Sequence, residues 1–136
     1  RINFTSFSHQ RLYRDAHESD QNELSYFVMR HPTEDYDILA RREAVRIDDD
    51  PERGGRVEIL LEDVEEFDLE YLDPISNTWQ RSWDSSPQAT GQPNRLPIQV
   101  RIRVVANDPR SGRAITLGTR VHLPMRYGLN HATYIR

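Results

Sequence analysis

The strongest constraint on the fold is a two-residue alternation in the last third of the chain. Apolar side chains occupy every second position from 98 to 104 and, with one threonine among them, from 115 to 123. Successive side chains of a strand point to opposite faces, so this period indicates two half-buried strands. The segment between them, NDPRSGR, contains the residue types that form turns. The sequence therefore predicts an antiparallel hairpin over residues 98–123.

A second alternating segment carries carboxylates. Between positions 66 and 71, Glu66, Asp68 and Glu70 alternate with aromatic and aliphatic residues. The polar face of the predicted hairpin carries arginines, which would repel one another unless carboxylates lie beside them. We therefore predict that these two strands are neighbours. Cross-strand pairs would join the three carboxylates to Arg101 and Arg103, each contributing roughly 0.2–1 kcal/mol.

The stretch from Leu60 to Trp83 is predicted to form a central hairpin that carries several aromatic residues. After a turn at positions 73–77, Trp79, Arg81 and Trp83 would share one face of a strand. Tyr71 and the two tryptophans are expected to be structural aromatics. The alternative is a flat platform on which a sugar or single-stranded nucleic acid could stack.

A third segment, Glu23–Arg30, is apolar on both faces. Its central residues are Tyr26, Phe27, Val28 and Met29. Such a strand is buried on both sides or lies at a partner surface, so we interpret these four residues as a candidate partner-binding segment. With further extended segments at 2–8 and 38–47, the chain predicts about seven mostly antiparallel strands in two sheets. They would form a single domain over residues 1–136.

Composition excludes several classes of function. The net charge is −4 and all 18 cationic residues are arginine, so the general attraction used by non-specific nucleic-acid binders is absent. The chain contains no cysteine, which excludes disulfides, zinc–thiolate sites and thiol nucleophiles. No apolar run reaches the roughly 18–20 residues of a membrane helix. Because the chain begins at Arg1 without methionine, we expect a processed protein or an excised piece whose missing N-terminus could hold an anchor.

No constellation of residues predicts catalysis or a cofactor. The histidines lack metal-ligand spacing, and hydrolase, nucleotide and dinucleotide motifs are absent. The cluster Asp48, Asp49, Asp50 and Glu52 is a weak calcium candidate, although a solvated acidic loop is the favoured interpretation. The carboxylates between positions 62 and 70 could also be imagined as the acid and base of a hydrolase. Carboxylates at alternate positions of a strand more commonly face water, and we favour that interpretation.

Four sequence elements, taken in order, resemble the J-type minor pseudopilin of bacterial type II secretion systems. They are L-x-R-R-E at Leu39–Glu43, L-x-x-V-x-x-F-x-L-x-Y-L-D at Leu61–Asp73, W-x-x-x-W-D at Trp79–Asp84, and L-P followed by a β-branched strand from Leu96. The resemblance extends over roughly residues 23–125. This sequence does not include the N-terminal hydrophobic helix that members of the family carry.

The resemblance implies an α+β pseudopilin fold whose N-terminal helix is missing or short in this sequence. It also implies a non-enzymatic subunit that joins the I- and K-type minor pseudopilins at the tip of a periplasmic pseudopilus. The full-length protein would be anchored in the inner membrane and would aid the export of folded proteins across the outer membrane. The 26–29 segment and the loop at 85–95 would then be interface candidates. A minor pilin of a type IV pilus remains an alternative, as does a carbohydrate- or ligand-binding β module using Trp79 and Trp83.

Overall fold

The structure, a computed structural model, describes residues 1–8, 21–45 and 53–127. These residues contain eight β-strands and no helix, and so no helix able to cross a membrane. The chain divides into two compact units. One comprises Arg1–Phe67 and Val104–Leu117, and the other comprises Asp68–Arg103 and Gly118–Arg136.

The first sheet is an antiparallel meander that belongs to the first unit. Its strands lie side by side in chain order: β1 (Ile2–Ser6), β2 (Asn22–Arg30), β3 (Asp37–Ala44) and β4 (Arg56–Leu61). The β2–β3 register is unbroken from Glu23 opposite Ala44 to Arg30 opposite Asp37. The β3–β4 register shifts once, between Leu39 and Ala40. The meander therefore has its longest continuous pairing at its centre.

The second sheet has the order β6-β5-β7-β8. Its strands are β5 (Val64–Leu72), β6 (Trp79–Gln80), β7 (Gln99–Asn107) and β8 (Ala114–His122). The backbone N–H of Ile98 donates to Leu72 and that of Asn107 donates to Asp63. These bonds join opposite ends of β5 and β7, so the two strands are antiparallel. The adjacency that the complementary charges predict is confirmed, as is the β7–β8 hairpin.

The expected mostly antiparallel architecture in two sheets is confirmed, with eight strands where about seven were predicted. The additional break falls inside the predicted central hairpin. Leu60 and Leu61 end β4 in the first sheet, and β5 begins in the second sheet after two intervening residues. Between them Asp63 has a φ of 51°, a left-handed conformation that aspartate tolerates better than most residues. The hairpin itself is limited to β5 and β6.

The prediction that one strand continues from Trp79 through Arg81 to Trp83 is wrong, because β6 ends at Gln80. Only Tyr71 and Leu72 of β5 pair with β6, opposite Gln80 and Trp79. Trp83 lies outside the strand, and its indole Nε1 donates a hydrogen bond of 2.9 Å to the carbonyl oxygen of Arg95 in the following loop. Alternation alone could not reveal this competing hydrogen bond.

Each unit has its own buried residues. In the first unit they include Leu24, Ile38, Leu39, Ala40, Ala44, Val64, Val104, Val105 and Ala106. Three consecutive buried residues of β3, at 38–40, mean that both faces of that strand are covered. In the second unit Tyr71 and Val100 are buried, together with the carboxyl-bearing Asp73.

Gly55 is required by the close approach of β4 to β3. Its φ is +73°, and a Cβ at this position would lie 2.6 Å from the carbonyl oxygen of Glu43. Gly54 has a φ of +69° but nothing within 4 Å of an added Cβ.

We expect Gly55→Ala to lower the free energy of unfolding by about 2–3 kcal/mol and Gly54→Ala by about 1 kcal/mol, measured by urea denaturation. Equal losses would show that the contact with Glu43 has no cost.

Asp108 shapes the turn between β7 and β8 and is expected to titrate abnormally. The Ser111 hydroxyl and the Arg110 N–H donate to its carboxylate at 2.6 and 3.1 Å, and these bonds hold the pKa of Asp108 below its ordinary value. The stabilisation is therefore present above the unfolded pKa of about 3.9 and is lost as pH falls through the lower folded pKa. In an NMR titration, Ser111→Ala should raise the pKa of Asp108. Ser76→Ala, in another turn, should leave it unchanged, and an unmoved pKa in Ser111→Ala would contradict this account.

Candidate interaction surfaces

The L-x-R-R-E segment forms a polar network in the first sheet. Alternation along β3 places Arg41 and Glu43 on one face and Arg42 on the other. The Nδ2 of fully buried Asn22 donates to Glu43 Oε1 at 2.7 Å, and Arg41 Nη2 donates to Glu43 Oε2 at 2.6 Å. Burial opposes the charge of Arg41, but Glu43 and Tyr26 together outweigh this effect and raise the pKa of Arg41. Arg41 also reaches Glu58 of β4 at 3.6 Å, so the network spans three strands.

The opposite face of the same strands holds a second polar contact. Arg42 is only 4% exposed, and its Nη2 donates to the hydroxyl of fully buried Ser25 at 3.2 Å. The two residues are direct partners in the β2–β3 register. Sequence reasoning missed these buried polar residues. The only available signal was the placement of R-R-E between apolar residues in a segment predicted to be extended.

The predicted partner-binding segment lies in the less buried half of β2. Residues 22–25 are buried, although they are the more polar half of the strand, whereas Tyr26 and Phe27 are half-buried. Tyr26 stacks on Phe4 and the Arg1 guanidinium lies 4.9 Å from the Phe27 ring. Val28 and Met29 are 38% and 37% exposed. These last two residues are therefore the accessible part of the segment.

A row of aromatic and charged side chains crosses the second sheet in the second unit. The guanidinium carbon of Arg101 lies 4.0 Å from the centre of the Trp79 ring, and that of Arg120 lies 5.7 Å from it. Arg101 Nη1 also donates to Glu70 Oε2 at 2.6 Å. Trp79 is half-buried, and Arg101 lies over its ring. A sugar or base stacking on the same part of that ring would have to displace the guanidinium.

A second charge pair among the predicted residues is looser. Arg103 Nη1 lies 3.9 Å from Asp68 Oδ2, and both side chains are more exposed than those of Glu70 and Arg101. Glu66, the third predicted carboxylate, is half-buried on β5. The structure thus brings Glu70 and Arg101 into direct contact and leaves Asp68 and Arg103 at the limit of a salt bridge.

The other predicted aromatics anchor the loop at 85–95. Tyr71 is buried and its ring lies 6.3 Å from that of Trp83. The Trp83 indole donates to the carbonyl of Arg95, whose Nη1 donates to the buried carboxylate of Asp73 at 3.2 Å. Burial raises the pKa of Tyr71. Both tryptophans therefore have packing or hydrogen-bonding partners within the protein.

The candidate hydrolase residues lie within the described part of the chain, whereas the candidate metal residues do not. Asp48, Asp49, Asp50 and Glu52 lie outside the described residues. Within residues 1–8, 21–45 and 53–127, no group of three or more histidine or carboxylate side chains could hold a metal ion. Of the carboxylates at 62–70, Asp63 and Glu65 both accept hydrogen bonds from Asn107 Nδ2, at 3.2 and 3.1 Å.

The family model described as type II secretion system (T2SS), protein J matches residues 9–117. The chain belongs to the T2SS protein J family. The match contains all four sequence elements from which the resemblance was inferred, including the R-R-E segment of the polar network. No curated protein shows a significant match.

Membership in the T2SS protein J family confirms the resemblance that was inferred from the four sequence elements. The family is a structural, non-catalytic component of type II secretion, which gives the chain a pseudopilin role. Such a role depends on surfaces, so the side chains described above are best tested by their effects on stability and association.

The contact between Glu70 and Arg101 is expected to show measurable coupling. In a double-mutant cycle with Glu70→Gln and Arg101→Gln, we expect a coupling free energy of about 0.5–1 kcal/mol in urea unfolding at low salt. The same cycle on Asp68 and Arg103 serves as the matched control and should give less, because the charges are farther apart. Coupling energies in the reverse order would contradict the observed geometry.

Proposed function

We propose that this chain is a non-enzymatic minor pseudopilin, a structural subunit of the tip of the type II secretion pseudopilus. In this role it aids the export of folded proteins across the outer membrane. The observation that carries the proposal is the T2SS protein J match over residues 9–117. This match favours the secretion system over the type IV pilus, and over the ligand-binding module considered from the sequence.

The side-chain environment supports a structural role. Carboxylates that could have served as a catalytic pair have other functions in the fold. Glu70 accepts from Arg101, and Glu65 accepts from the side chain of Asn107. Glu65 and Glu70 are therefore engaged in contacts between β5 and β7.

The proposed partners are the I- and K-type minor pseudopilins. The proposed setting is the bacterial periplasm, with the full-length protein anchored in the inner membrane by an N-terminal hydrophobic helix. That helix would complete the α+β pseudopilin fold around the β-sheets described above. Family membership supports an association with the pseudopilus and with the cell envelope.

We propose the Tyr26–Met29 segment as one of the assembly surfaces. Two neighbouring apolar side chains at its end, Val28 and Met29, are more than one-third exposed. Adjacent residues of a strand point to opposite faces, so a partner that wraps this end of β2 would contact both. The loop at 85–95 is a second candidate, and its attachment through Arg95 would present it in a defined conformation.

The central experiment is deletion and complementation in a bacterium that encodes the full-length gene. We expect deletion to block secretion of type II substrates and the full-length gene to restore it. We also expect the full-length protein to co-purify with the I- and K-type pseudopilins from inner-membrane extracts. Normal secretion combined with a loss of type IV pili would replace the proposal with the pilin alternative.

A surface variant tests the assembly segment. In Val28→Ser combined with Met29→Ser, we expect co-purification with the I- and K-type partners to fall at least about fivefold, because apolar contact area is lost. The matched control is Ile75→Ser, which changes a side chain that is 76% exposed in the turn after β5. Urea unfolding should show both variants folded. Unchanged co-purification would remove this segment from the interface while leaving the secretion role intact.

A further inference from the structure

The last strand of the second sheet is a long edge. β8 has nine residues, all of them exposed, whereas the edges formed by β1, β4 and β6 have five, six and two residues. Proteins commonly protect edges with short strands, bulges, proline or charged side chains. β8 contains no proline, and Arg120 is its one arginine. The half of β8 that belongs to the second unit is Gly118–His122. Within the part of the chain that the structure describes, no strand pairs with its outer edge, so another strand could bind there.

The backbone N–H and C=O groups of this half point in one of two directions, depending on whether the residue number is odd or even. At the two ends of the hairpin, the Asp108 N–H donates to the Arg113 carbonyl and the Leu123 N–H donates to the Ile98 carbonyl. Ladder bonds between antiparallel strands recur at every second residue, so odd-numbered residues of β8 direct their N–H and C=O groups towards β7. The same groups of Gly118, Arg120 and His122 therefore point to the open edge.

The side chain at the centre of this edge is a cation at the end of a charged row. Across the sheet, Glu70 contacts Arg101, and Arg101 and Arg120 both lie over Trp79. Among the described residues, no carboxylate forms a salt bridge with Arg120. The described part of the second unit is also cationic. It has six arginines, Arg81, Arg95, Arg101, Arg103, Arg120 and Arg126, against four carboxylates, Asp68, Glu70, Asp73 and Asp84.

We propose that the Gly118–His122 edge binds an extended segment of a partner protein as an added β-strand, with an acidic residue opposite Arg120. The outward N–H and C=O groups of the even-numbered residues supply the main-chain bonds of such strand addition. The carboxylate continues the row of Trp79, Arg101 and Arg120. In the partner segment, the two residues that flank the acidic residue lie on the opposite face of the sheet from Arg120, beside the exposed Val121 side chain. The segment recognised therefore has the pattern apolar, acidic, apolar.

This inference goes beyond the proposed secretion role, because it concerns one edge of the isolated domain. It can be tested without any other secretion component. The probe is a capped seven-residue peptide that alternates valine and glutamate, and its counterpart with lysine in place of glutamate is the control. Both peptides have the same length and β-propensity, so they differ in the charge presented to Arg120.

The measurement is amide hydrogen exchange by NMR on the ¹⁵N-labelled domain, with and without peptide. We expect the glutamate peptide to slow exchange at Gly118, Arg120 and His122. Thr119 and Val121 should be protected before the peptide is added, because their amides already bond to β7. Protection at alternate residues distinguishes an added strand from a side-chain contact, which would not follow this parity.

Charge reversal tests the side-chain part of the proposal. We expect Arg120→Glu to weaken binding of the glutamate peptide about fivefold and to strengthen binding of the lysine peptide. Arg126→Gln, an exposed arginine of the same unit outside β8, should bind the glutamate peptide as the unchanged protein does. Retained protection of Thr119 and Val121 would show that the β7–β8 hairpin is still formed in each variant.

Three outcomes would overturn the proposal. Equal binding of the two peptides would remove the charge preference, and a preference for the lysine peptide would reverse it. Peptide-induced protection outside the even-numbered residues of β8 would place the peptide elsewhere. Each of these outcomes leaves the secretion role untouched, and a failure of the secretion experiments would leave this result standing.

Discussion

The first sheet depends on the pairing of polar side chains that its own packing has removed from water. β3 has neighbours on both sides and is covered on both faces, yet its sequence carries Arg41, Arg42 and Glu43. A buried guanidinium without partners costs several kcal/mol, so each donor that meets an acceptor lowers the cost of burying this strand. Ser25 meets Arg42 on one face, and Glu43 meets Asn22 and Arg41 on the other. A slip of one residue between β2 and β3 would break both contacts.

The second sheet uses charge differently, at positions that water can reach. Arg101 both stacks on Trp79 and bonds to Glu70. A planar guanidinium can do both, whereas the ammonium of lysine is a compact point charge on a flexible chain. The absence of lysine from the sequence is consistent with this use of arginine. Because the groups are half-exposed, their contribution is mainly to define neighbours and register.

The sequence predicted the parts of this fold whose information is local or complementary. The alternation of the β7–β8 hairpin and its turn chemistry lie within one stretch, and the acidic β5 could be matched to the arginines of β7. Burial was harder to predict, because it depends on which elements cover a strand. In β2 the polar residues at 22–25 are buried, while Val28 and Met29 are exposed. Likewise, the apolar residues of β8 alternate as a half-buried strand would, but the strand is exposed along its whole length.

The link between β4 and β5 consists of only two residues, Glu62 and Asp63. Asp63 is held in its left-handed conformation by the backbone N–H of Asn107, which donates to its carbonyl at 2.9 Å, and by the Asn107 side chain. A one-residue insertion or deletion here would exchange the acidic and apolar faces of β5. Natural variation in chain length among related proteins should therefore concentrate in the loop at 85–95 and be absent between Leu61 and Val64.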